Sequence, residues 1–133
     1  MDFSVIKMIK QIALVALGGS AGSVLRYLTS LWVIKQFPYT FPLGTFIVNI
    51  TGCFIIGFLL GLSIFQNLQN NELKLLLVVG FCGGYTTFST FSSESLHLLE
   101  SGNYWTLGLY IAGSIVLGLM AVWGGNVLAK MVI

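Results

Sequence analysis

Gly80-Phe81-Cys82-Gly83-Gly84-Tyr85-Thr86-Thr87-Phe88-Ser89-Thr90-Phe91-Ser92 lies in an apolar stretch with no charged residue between Lys74 and Glu94. Three glycines followed by hydroxyls and phenylalanines disfavour an uninterrupted helix, because adjacent glycines loosen one. Within a membrane, a helix that breaks there frees backbone groups that water cannot satisfy. An ion or substrate site is therefore expected at this segment.

The composition around it places the chain in lipid. Only 8% of its residues are charged and 56% are hydrophobic, against roughly a quarter charged in soluble domains, and the mean hydropathy is +0.95. Six basic and four acidic side chains cannot cover the apolar surface of a soluble fold of 133 residues. A transmembrane helix needs about 20 mostly apolar residues. Polar punctuation at 35–42 (with Phe37-Pro38 and Phe41-Pro42), 66–72 and 100–103 divides the chain into four such helices, at about 8–34, 43–65, 73–99 and 105–132. The predicted fold is an all-α membrane protein, a single transmembrane domain over 1–133 whose third helix is broken near its middle. These helices leave no stretch for a soluble catalytic domain.

Lys7 and Lys10 before an apolar run, then Gly19-Ser20-Ala21, imitate a secretory leader. Cleavage there would release only more membrane helices, which argues against that reading. Cys53 and Cys82 form neither a metal-ligand spacing nor a disulfide framework and read as small buried hydrophobes. Four spans put both termini on one side of the bilayer, with Lys7, Lys10, Lys74 and Lys130; Lys35 and Arg26 lie toward the other. Lys/Arg bias normally sets orientation, and here it is small. Insertion both ways is open, as is one weakly determined topology.

Gly18 and Gly22, Gly57 and Gly61, and Gly80 and Gly84 form small-xxx-small pairs that let backbones approach in lipid. In the second helix Thr45, Asn49, Cys53, Gly57 and Gly61 recur every four residues and share a face. Asn49 alone reads equally well as glue between helices. Tyr110, Ser114 and Gly118 make a second stripe in the fourth helix, and two polar stripes imply a shared polar track. In the third helix the spacing puts Phe88 and Phe91 on one face and Thr86, Thr90 and Glu94 on another. Phenylalanine edges carry positive partial charge, so rings presented edge-on stabilise an anion weakly enough for it to leave again.

Charge within a membrane is expensive and usually functional. Arg26 is placed to snorkel to the interface or to anchor a vestibule, and Glu94 to face water or to pair with Arg26 or a partner subunit. His97 reads as interfacial. The sequence holds no Ser-His-Asp grouping with helical support, no clustered metal ligands, no phosphate loop and no basic patch for nucleic acid. The chain is not expected to be an enzyme.

Three blocks of residues resemble the Fluc fluoride channels, a bacterial family also called CrcB. They are Gly18-Gly19-Ser20-Ala21-Gly22 with Arg26-Tyr27, Pro42-Leu43-Gly44-Thr45-Phe46-Ile47-Val48-Asn49 with Gly52, and Gly80 through Ser92. The resemblance implies an antiparallel, dual-topology homodimer in the bacterial inner membrane. Its two pores would export fluoride passively and lower its toxicity. It further implies a central structural sodium ion (Na+) held by backbone carbonyls of Gly83 and Thr86 from both subunits, and an aromatic box of Phe88 and Phe91. Asn49 would supply the pore amide and Tyr110 and Ser114 the polar track, with Arg26 and Glu94 near the pore entrance. Gly118 stands where some members carry a hydroxyl, which shortens that track.

The implied mechanism is physically coherent. A small anion entering a narrow pore must exchange water for other donors, here the Asn49 amide, ring edges and the hydroxyls of Ser89, Thr90 or Ser114. Carbonyls freed at the break need a partner, and oxygen ligands suit a hard cation. Two rival readings compete. A small multidrug-type antiporter has a similar size but needs a titratable acid at mid-membrane in its first helix, where no Asp or Glu stands and Arg26 is the charge away from the Lys10 end. A non-transporting assembly subunit would explain the small-residue pairs but not the polar stripes.

Overall fold

The computed structural model describes residues 2–66 and 71–132. Among them four helical stretches are long and apolar enough to cross a membrane. Helix α1 (Phe3–Gln36) stops where Pro38 forces the residue before it out of the helical region; Phe37 has φ −132° and ψ 78°. Helix α2 (Leu43–Gly61) follows Pro42, whose carbonyl accepts from the Phe46 N–H at 3.1 Å. It ends four residues short of the expected limit, because Leu62 is extended (φ −71°, ψ 136°) and Ser63–Gln66 forms a separate turn. Part of the polar break expected at 66–72 lies outside the described residues.

The next stretch is α-helical over Asn71–Leu73, π-helical over Lys74–Cys82 and α-helical again over Gly83–Tyr85; together these form α3 (71–85). Helix α4 (Phe88–Glu100) follows two extended residues, and α5 (Tyr104–Val132) ends the described chain. Between α4 and α5 the chain turns at Gly102, whose φ of +76° favours glycine. The Asn103 N–H returns to the Leu98 carbonyl (3.0 Å) and the Gly102 N–H to that of Leu99 (3.2 Å), the paired closure of a Schellman end.

The helices pair in an interleaved order, with α1 packed most closely on α3 and α2 on α5. Both seams need glycine. A Cβ on Gly22 would strike the Phe81 carbonyl and the Tyr85 nitrogen, and one on Gly125 the Phe54 carbonyl and the Phe58 nitrogen. Such contacts let backbones meet in lipid, where no hydrophobic force drives helices together. Helix α4 lies on α5 and α2. The buried apolar core is small, with Val33, Val48, Tyr110 and Ala129 fully enclosed, while Trp32, Leu119, Trp123 and many other large apolar side chains face outward. That inversion suits a lipid exterior. Lys10 Nζ meets Glu72 Oε1 at 2.7 Å, tying α1, two turns in, to the first turn of α3 at one end of the bundle.

Candidate functional site

The chain leaves the helical path at Thr86 (φ −81°, ψ 156°) and Thr87 (φ −148°, ψ 121°). This lies beyond the glycine pair: Gly84 stays helical, and its missing side chain lets the Gly19 backbone approach. The side chain of Asn49 engages the divergent residue from both sides. The Thr87 N–H donates to Asn49 Oδ1 at 2.8 Å, and Asn49 Nδ2 donates to the Thr87 carbonyl at 3.0 Å. The Thr87 hydroxyl then caps α4 by accepting from the Thr90 N–H at 3.2 Å.

These bonds reroute donors. In an unbroken helix the Thr87 N–H would serve the Gly83 carbonyl and the Thr90 N–H that of Thr86. Both are now engaged elsewhere, and no described residue replaces them. The same break opposes two helix ends. The partial negative charge of the α3 C-terminus favours a cation at its carbonyls, and the amides opening α4 favour an anion.

Beside the break lies a groove of 490 Å³ where α2, α3, α4 and α5 converge. Asn49, Gly83, Thr86, Phe88, Phe91 and Ser114 all line it. Ser114 Oγ is buried there without a hydrogen-bond partner. The Phe88 and Phe91 rings stand 5.8 Å apart and tilted by 37°, and Phe91 lies 5.0 Å from Tyr110. Phe88 is 79% exposed. A Cβ placed on Gly83 would meet nothing within 4 Å, so this part of the wall is open.

A second cavity of 640 Å³ lies at the end of the bundle that carries residues 37–42, with Thr45, Thr90, Glu94 and His97 in its wall. The Glu94 carboxylate accepts from Thr45 Oγ1 at 2.8 Å and from Tyr110 Oη at 2.7 Å. Tyr110 is fully buried, so it joins the aromatic cluster to this acidic group.

The structure thus gathers six of the predicted site residues at the groove and places Thr90 and Glu94 at the second cavity. Ser89 is exposed on the first turn of α4, its hydroxyl 3.3 Å from that of Thr87. Arg26 is half-buried on α1 and lines neither space. Glu94 is held by two hydroxyls, and Lys10–Glu72 is the one salt bridge among the described residues. The expected face of Thr86, Thr90 and Glu94 is also corrected, since Thr86 is extended and its side chain packs toward Gly52. Sequence reasoning missed Thr87. The signal was present, because a threonine just before a helical run is a favoured N-cap.

The family model for CrcB-like protein, Camphor Resistance (CrcB), matches residues 13–126. A protein of Flavobacterium psychrophilum named Fluoride-specific ion channel FluC is 50% identical over 121 residues, covering 91% of this chain and 98% of that protein. Proteins of the same name from Azobacteroides pseudotrichonymphae and Rhizobium etli are 47% and 45% identical, covering 92% and 86% of this chain and 98% and 92% of their own. These names are those of channels, not enzymes. With four helices long and apolar enough to cross a membrane, a groove at a helix break and a match over most of its length, the chain belongs to the CrcB-like family.

Proposed function

We propose that this protein is a fluoride-specific channel that lets fluoride leave a bacterial cytoplasm passively across the plasma membrane. It acts as an antiparallel, dual-topology homodimer with two pores. The observation that carries this reading is the buried Ser114 hydroxyl, without a partner in the same groove as Asn49, Phe88 and Phe91. An orphaned buried hydroxyl costs about 1–3 kcal/mol, a cost relieved when an anion accepts a hydrogen bond from it. Asn49 keeps one amide hydrogen beyond the one given to Thr87, and the opening amides of α4 add positive potential. The relatives' names support fluoride as that anion.

A dimer is supported by the open wall at Gly83 and the exposed Phe88, which a second copy would cover. Dual topology is supported by the small Lys/Arg bias between the two ends. The chemistry of the break suits the implied sodium ion. The Gly83 and Thr86 carbonyls have lost their helical donors, and among the described residues no three His, Cys, Asp or Glu side chains gather to hold a metal. Those carbonyls, from both subunits, would hold the ion, which when bound supplies positive potential at the dimer centre.

Purified protein in liposomes should release fluoride and retain chloride. Absence of flux from correctly assembled dimer would overturn the reading in favour of an assembly role, and proton-coupled movement of organic cations would favour an antiporter.

A further inference from the structure

We infer that Asn49 is a positioning residue for the helix break, holding the Thr87 main chain out of the helix so that the Gly83 and Thr86 carbonyls remain unpaired. One side chain then shapes both the groove wall and the cation site. The cation half of this inference rests on the sodium proposed above; the clamp itself does not.

Asn49 Oδ1 takes the Thr87 N–H and Asn49 Nδ2 serves the Thr87 carbonyl, at 2.8 and 3.0 Å. A carboxamide bonded in this way replaces a neighbouring strand for one residue and satisfies both backbone groups of an extended segment in lipid. Thr87 is buried, at 8% exposure, so water does not offer an equivalent. Without the clamp, the acceptor that an unbroken helix would give the Thr87 N–H is the Gly83 carbonyl one turn earlier. Pairing there would rewind the chain and withdraw a cation ligand. A residue acting solely as a pore donor has no such effect on the backbone.

Two variants divide the clamp. Asn49→Leu removes both bonds at similar volume, whereas Asn49→Asp keeps the acceptor for the Thr87 N–H and loses the donor to its carbonyl. Both are expected to lose fluoride flux, so the deciding readouts lie elsewhere. In full-length dimer labelled with 15N-threonine, the Thr87 amide should exchange slowly in the wild type. It should exchange at least about tenfold faster in Asn49→Leu, which corresponds to about 1.4 kcal/mol, and at an intermediate rate in Asn49→Asp. The sodium concentration that protects the dimer against thermal dissociation should rise about tenfold in Asn49→Leu. Unchanged Thr87 exchange in Asn49→Leu would overturn the clamp. If that variant does not fold, Asn49→Asp decides, and wild-type values of both readouts there overturn the inference. A wild-type dimer indifferent to sodium removes the sodium proposal and the cation half of this one, while Thr87 exchange still judges the clamp.

Discussion

Phe88 and Phe91 separate two effects that aromatic substitutions usually mix. Phe88 is largely exposed, whereas Phe91 packs 5.0 Å from Tyr110. Replacing Phe91 by Ile forfeits two aromatic pairs, with Phe88 and with Tyr110, each worth about 0.5–1.5 kcal/mol, while Phe88→Ile forfeits only the pair with Phe91, on a largely exposed ring, and should cost the monomer less. Fluoride flux is expected to collapse in both while dimers still assemble; normal flux in both, by liposome efflux, would remove the rings from the pathway. A second prediction concerns Glu94. Tyr110→Phe deletes one of the two hydroxyls that serve its carboxylate and should cost about 1–3 kcal/mol, read from reversible unfolding in detergent. Four-residue spacing on α2 already placed Thr45 and Asn49 together. It said nothing of Thr45 meeting Glu94, because that contact joins helices whose mutual rotation no single-helix pattern contains.

The glycines make the element-level case. Gly125 stands against the backbone of α2, so Gly125→Leu should split the α2–α5 seam at a cost of about 1–3 kcal/mol or more, since the main chain there cannot step aside. Gly83→Ala meets nothing within the chain. It should leave the helical content and the unfolding of the isolated subunit unchanged, so any loss of dimer in size-exclusion chromatography would come from contact with the proposed partner subunit or the proposed ion. The small-xxx-small spacing was readable in the sequence as a sign of close helix approach. Which helices approach was not, because such spacing describes one partner only. The position of the break was half readable: glycine content pointed to the segment, but the extended residues follow the hydrogen bonds of Thr87 rather than the weakness of Gly83-Gly84. The π-helical turn over Lys74–Cys82 had no signal in composition or spacing.

At the level of the whole molecule, the four spans follow directly from hydropathy, and the interruptions by Pro38, Pro42 and Gly102 from turn chemistry. Dual topology carries the remaining prediction. A C-terminal tag should be reachable from both faces of the membrane in comparable amounts; a population confined to one face would exclude antiparallel pairing. The interleaved seams also govern how the chain is made. Ser23 on α1 reaches the Gly84 carbonyl 61 residues later, an interval of about 3–12 s at ordinary rates of synthesis. Until then the α1 glycines that face α3 and the α2 glycines that face α5 have no partner, so a nascent chain halted after α2 has only the slighter α1–α2 contact at Gly44 and Ser30 to hold it together.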